Sequence, residues 1–424
     1  MPPCRPILAL MTVPVIMTGC QSLPTASPAV ERLETQVNAP GAFSWPDGVA
    51  GSGALTPDQC VTVALWNSPD YQAALADLHI ARSDIIKAGQ IPNPSLSILF
   101  PSDAKAFEAA VKVPIDVLWL RPKRLRVAES DLESTAARLS QAGVDLACDV
   151  RRAAARVFLM QEQAGLAAES AEVFEEMARI SVTREKAGQE GGLELAQARA
   201  DFALASQEKE RLLYEERLAL EKVRRLMGMG LEERPLRLDA HYGLPPASPG
   251  FQAAIRESIQ SRADVRAAEL GVIAAGQRAG LARAEVFSLT ASAKFTDGAG
   301  TQPGFDLPLA VFNQNQAARV RADAQLEKAM YDLAAARHRA ATETREAVTR
   351  LSQAKVVAAG WQKVLPELET ALRKANQAVS EGEAQPTLAL EAARRLADSR
   401  SKSAESRCRL TEAAAELRRA LGKS

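Results

Sequence analysis

The chain has 424 residues, and its 52 Lys plus Arg equal its 52 Asp plus Glu, so the formal net charge is zero. With no basic excess to neutralise phosphates, nucleic acid is excluded as a main partner. Aromatic residues make up only 4% of a chain that is 47% hydrophobic, which points to long, closely packed, Ala-rich helices rather than a compact globule.

In chain order, residues 1–19 carry Arg5 and then an apolar run from Ile7 to Met17. The run is too short to stay in a bilayer as a helix but suits a signal-peptide core. It ends Met17-Thr18-Gly19-Cys20, which resembles a bacterial lipobox, with small residues for a signal peptidase and the Cys20 thiol to take the lipid. An ordinary secretory signal with a chance cysteine fits the same residues. Gln21 follows, not the Asp that favours inner-membrane retention, so a processed lipobox implies the outer membrane. Residues 20–54, rich in Pro, Ser, Gly and Ala, read as an extended tether without its own core.

From there the chain is written twice, at an offset of 194 residues. Asp70 matches Asp264, Pro114 matches Pro308, Leu132-Glu133 matches Leu326-Glu327, Gly188 matches Gly382, Arg224-Arg225 matches Arg418-Arg419, and Gly228 matches Gly422. Two repeats follow, 55–228 and 251–424, joined by a Pro/Gly-rich linker at 229–250. Each has one plan: helix, strand pair, very long helix, tip, helix.

The first helix is predicted from Thr56 to Gln90, broken or kinked at Asn67-Ser68-Pro69. The long helix is predicted from Pro122 to Lys186. Along it Leu125, Leu132, Leu139, Leu146, Ala153, Met160, Ala167 and Phe174 recur every seven residues. The second repeat has Leu326, Leu333, Ala340, Ala347, Ala354, Trp361, Leu368 and Ala375 in the same rhythm. Strict sevens mean coiled-coil packing, in rods roughly 90–100 Å long. Pro366, inside the second seam, predicts a bend.

Four segments alternate with period two: Leu96–Phe100, Phe107–Val117, Phe287–Thr296 and Phe305–Val311. This is the apolar-out, polar-in pattern of a membrane β-barrel; a sheet packed on one face in a soluble domain fits it too. Four strands cannot close a barrel, and open edges are not tolerated in lipid, so a spanning sheet requires several copies. The simplest ring is a trimer with about 12 strands. The expected fold is therefore mainly α with a small β part: a long coiled-coil α-helical barrel, four β-strands per protomer in a trimeric β-barrel, and an internal tandem repeat.

Enzyme signatures are absent: there is no P-loop, GxSxG, HExxH or dinucleotide fingerprint. Cys60, Cys148 and Cys408 are scattered without ligand spacing, and His79, His241 and His338 lie far apart, so no metal site and no cofactor are expected.

Taken together, these residues resemble the TolC-like outer-membrane efflux family, over nearly the whole chain from Leu55 to Gly422. The carriers are the duplicated plan, Asn67-Ser68-Pro69-Asp70, the strand ends Val113-Pro114-Ile115 and Leu307-Pro308-Leu309, and the tip segments 187–195 and 381–390. The resemblance implies a homotrimeric channel anchored in outer-membrane lipid, with its helices in the periplasm. Their tips would meet a periplasmic adaptor (membrane fusion) protein that links to an inner-membrane efflux pump. Carried onto this sequence, Gly188, Gly192 and Leu193, with Gly382, Thr387 and Leu388, are the adaptor-contacting tip residues. Glu194 and Glu391 are the lumen-constriction residues; Leu388 stands where the family can carry a further acid. The run from Pro308 to Ala317 resembles the heavy-metal (cation-efflux) subgroup, which usually has Gly where Ala317 stands. A lipid-anchored coiled-coil scaffold without a pore is the other reading, but it leaves the recurring strands unexplained.

Overall fold

A computed structural model describes residues 43–49, 53–101, 107–188, 191–239, 250–381, 383–384 and 386–423. Repeat one contains α1 (Pro57–Asn67), α2 (Pro69–Gly89), β1 (Ser95–Leu99), β2 (Glu108–Pro114), α3 (Val117–Lys186) and α4 (Gly192–Leu226). Repeat two contains α5 (Phe251–Ser261), α6 (Ala263–Ala284), β3 (Thr290–Thr296), β4 (Gly300–Asp306), α7 (Gln316–Ser380) and α8 (Pro386–Ala420). The offset of 194 recurs in the helix bounds, with α5 and α8 starting and ending at that distance from α1 and α4.

Local chemistry sets these boundaries. Thr56 and Gln59 form a reciprocal capping box ahead of Pro57, which starts α1 without needing its own N–H. Pro69 ends that helix and opens the next, so the break expected at residues 67–69 is complete. Each repeat closes on a glycine in the left-handed region, Gly228 at φ +71° and Gly422 at φ +68°. Met229 N–H and Lys423 N–H reach back to the carbonyls of Arg224 and Arg418 to finish α4 and α8. A Cβ on Gly228 would stand 2.3 Å from the Asn67 carbonyl oxygen, and one on Gly422 would stand 3.1 Å from that of Ser261.

The 70-residue α3 is about 105 Å long at 1.5 Å per residue. Near its start it packs against α2 through Leu132, Ala136 and Leu139. Further along, Val150, Val157 and Phe158 pack with Val61 and Val63 of α1 and with Val223 of α4. Every residue of both predicted heptad seams is buried or half-buried. α3 also packs against α6 and α8 of repeat two, while α7 packs against α5, α6 and α8. The part of the tether that is described is docked: Phe43, Trp45 and Val49 pack on the repeat-one core. Ser44 exchanges two backbone hydrogen bonds with the Asn67 amide and accepts one at its hydroxyl from Trp66 Nε1.

Several element ends shift: β2 stops at Pro114 rather than Val117, and β3 starts at Thr290 rather than Phe287. α3 begins at Val117, five residues before Pro122, because Val117 and Leu120 are buried and extend the helix back to the strand. β4 occupies Gly300–Asp306, not Phe305–Val311; Pro308 has no N–H for a ladder, and the alternation of Leu307, Leu309 and Val311 continues past the last hydrogen bond. Pro366 sits within an unbroken 65-residue α7.

Candidate conduit surfaces: the sheet and the helix tips

The strands form one antiparallel sheet in the order β1-β2-β3-β4. Each repeat gives a hairpin, and the hairpins join through β2 and β3 over seven residue pairs, from Glu108–Thr296 to Pro114–Thr290. Residues opposite one another share a face. One face carries Leu96, Ile98, Ala109, Val111, Val113, Ala291, Ala293, Phe295 and Phe305. Its large members (Leu96, Ile98, Val111, Val113, Phe295, Phe305) are exposed, and Leu309, Val311 and Phe312 extend the apolar surface past β4. The other face carries Ser97, Lys112, Thr290, Ser292, Lys294, Gln302 and Asp306. No strand among the described residues pairs with the outer edge of β1 or of β4. This is an inside-out sheet for water, with an apolar face uncovered. No described helix is long and apolar enough to cross a membrane.

The helix tips lie at the far end of α3 and α7. Gly188 turns the chain at φ +71°, and its N–H bonds the Glu185 carbonyl. Gly192 is not a turn residue; it is the first residue of α4, after Gly191. Leu193 and Glu194 are exposed, with the Glu194 carboxylate folded back over Gly191 at the positive end of the helix. In the second tip Thr387, Leu388 and Glu391 are exposed, and Glu391 is paired with Arg395 one turn on. Gly382 and Cys20 lie outside the described residues. Glu194 and Glu391 are therefore not at equivalent places: the repeat equivalent of Glu194 is Leu388. Sequence reasoning missed Arg394, which donates to Asp201 at 2.8 Å and lies 5.0 Å over the Phe174 ring, tying α8 to α4 and α3 near the tips. Nothing in residue spacing marked it.

Among the described residues no three His, Cys, Asp or Glu come together as a metal site. Burial pushes the thiols of Cys60 and Cys408 up to about 12 and that of Cys148 up to about 11, so all three are protonated at neutral pH. The run resembling the metal subgroup plays a local structural role. Within it Asn315, left-handed at φ 59°, donates to the Ala282 carbonyl and ties the start of α7 to α6.

The sequence matches the outer membrane efflux protein family over residues 61–229 and 254–423, one match per repeat. The chain belongs to that family. A relative from Cupriavidus metallidurans, the cobalt-zinc-cadmium resistance protein CzcC, is 28% identical over 160 residues, 37% of this chain and 38% of the relative. The fold is similar to CusC, with a TM-score of 0.70 and 17% identity over 92% of this chain and 98% of that one. It is also similar to the outer membrane protein VceC of Vibrio cholerae, with a TM-score of 0.70 and 18% identity over 87% and 96%.

Burial differs between equivalent positions of the two repeats in a consistent way. Ile80 on α2 is 61% exposed, but its equivalent Ala274, on α6, which packs against both α3 and α7, is 1% exposed. Tyr214 on α4 is 60% exposed, but its equivalent Cys408 is 2% exposed and sits with Leu159 and Met160 of α3. Val356 on α7 is exposed, while its equivalent Glu162 on α3 is ion-paired with Arg407 of α8.

Proposed function

We propose that the protein is the outer-membrane channel of a tripartite efflux or export system, a homotrimer that passively conducts cargo from periplasm to exterior. The observation that carries this reading is the four-stranded sheet with an uncovered apolar face and two unpaired edges. In lipid an open edge leaves N–H and C=O groups without partners, so other copies must supply them. The repeat supports the same arrangement. α3 is covered by α6 and α8 of its own chain. The equivalent cover for α7 is α2 and α4 of a second copy, which would bury Ile80, Tyr214 and Val356. The equivalent of the β2–β3 junction is β4 of one chain against β1 of the next. Such a head-to-tail contact closes into a ring, and three copies give about 12 strands.

In this reading Cys20 carries the lipid and the helices hang in the periplasm. Gly188, Gly192, Leu193, Gly382, Thr387 and Leu388 face the adaptor that connects to an inner-membrane pump. Glu194 and Glu391 line a cation-attracting constriction, where the Arg395 partner of Glu391 would weaken its share. Of the two cargo classes such a conduit would serve, metal cations or drugs, the likeness to CzcC and the run from Pro308 to Ala317 support metal cations.

Reconstitution into planar bilayers tests the channel: discrete conductance steps are expected, and their absence would leave the pore-free scaffold. The Cys20→Ser variant is expected to lose palmitate labelling while keeping its helical content; undiminished labelling would remove the lipid anchor from the account.

A further inference from the structure

The strands carry four charged residues, Glu108 and Lys112 on β2, Lys294 on β3 and Asp306 on β4, and the register places all four on the polar face. They form two ion pairs. Lys294 Nζ meets Glu108 at 2.8 Å, and Lys112 Nζ reaches across β3 to Asp306 at 3.3 Å. Both pairs join one repeat to the other. Opposite Lys112 in the ladder stand small residues, Ser292 and then Gly304, where a Cβ would already stand 3.0 Å from Ser292 Oγ.

All four side chains are a third to more than half exposed, so the pairs add little to stability. Their consequence is electrostatic. A ring of like charges selects ions by sign, whereas a lining in which each charge is cancelled by its neighbour does not.

We propose that the polar face is a charge-compensated pore lining, and that Lys112 and Lys294 determine its specificity by cancelling Asp306 and Glu108. The barrel then passes cargo of either sign and leaves selection by charge to the other end of the conduit. This rests on the channel reading above. Without the two lysines each chain would present two uncompensated carboxylates to the lumen.

The test is the potassium-to-chloride permeability ratio of the full-length protein in planar bilayers under a KCl gradient. Salt is kept at about 10 mM, where the screening length is about 30 Å. The Lys112→Gln/Lys294→Gln variant is expected to raise the ratio roughly threefold or more. Glu108→Gln/Asp306→Asn is expected to lower it, and Lys112→Asp with Asp306→Lys to restore it. Should the pairs also be needed for folding, Ser292→Cys gives a second readout that leaves them intact: a negatively charged thiol reagent added to the conducting channel is expected to raise the ratio. Conducting variants with the wild-type ratio, together with no response at residue 292, would overturn the proposal while leaving the channel in place. A wild-type protein that never conducts would overturn both.

Discussion

α3 and α7 share a heptad seam and a repeat position, yet they live in different surroundings within one chain. α3 packs against α1, α2, α4, α6 and α8, and buries Val150, Val157, Phe158, Leu159 and Met160. α7 packs against α5, α6 and α8, and six of its nine buried residues are alanines. The extra neighbours of α3 come from the other repeat. A tandem repeat folded in one chain therefore shows the same face once covered and once open, and burial reports which is which.

The sharpest contrast is at equivalent positions in the core. Phe158 is buried in repeat one, while Ser352 stands exposed at the same place in repeat two. Phe158→Ala is expected to cost about 3–5 kcal/mol in urea denaturation. Ser352→Ala is expected to change stability by no more than about 0.5 kcal/mol. Equal effects would mean that the repeats are packed alike in the protomer.

The closing glycines give the next contrast. Gly228→Ala meets both the left-handed backbone and the Asn67 carbonyl oxygen, so a loss of about 3 kcal/mol is expected. Gly422→Ala meets the same backbone strain but a looser contact, for about 1–2 kcal/mol. Equal losses in the same titration would show that backbone conformation, not close approach, governs both turns.

A third contrast is electrostatic. Arg262, 5% exposed, donates to Asp264 and Glu343, where repeat one has Ser68 at the equivalent place. Arg262→Ser strands two partly buried carboxylates and is expected to cost about 2–3 kcal/mol. Burial disfavours the charged form of Asp264, but hydrogen bonds and charge from Arg262, helped by the Val265 N–H and Arg339, hold its carboxyl below the usual carboxylate range. A depressed folded value contributes stability that is present above the unfolded value and lost as pH falls through the folded one. Asp264→Asn is therefore expected to flatten the acid limb of the stability profile, and an unchanged limb would exclude this carboxylate as its source.

Much of this was legible in the sequence, because periodicity reports which side of an element is covered. The offset of 194, the break at residues 67–69 and both heptad seams appear where the pattern placed them. Strand ends did not, because alternation marks a face and hydrogen bonds mark a strand: Leu307, Leu309 and Val311 keep the face beyond the ladder. The Arg394 contacts and the strand ion pairs needed three dimensions, since each joins residues from different repeats. At the tips, Gly188 turns as its residue type suggested, while Gly192 is ordinary helix.

The proposed contact between copies is tested most directly by cross-linking between chains. Within one chain Glu162 of α3 meets Arg407 of α8, so the equivalent pair, Val356 and Leu213, should meet between copies. With Val356→Cys and Leu213→Cys in one chain, a short bifunctional maleimide applied in detergent is expected to give bands of two and three chains and none higher. A band of one chain only, or a ladder running past three, would contradict a closed ring built on the repeat.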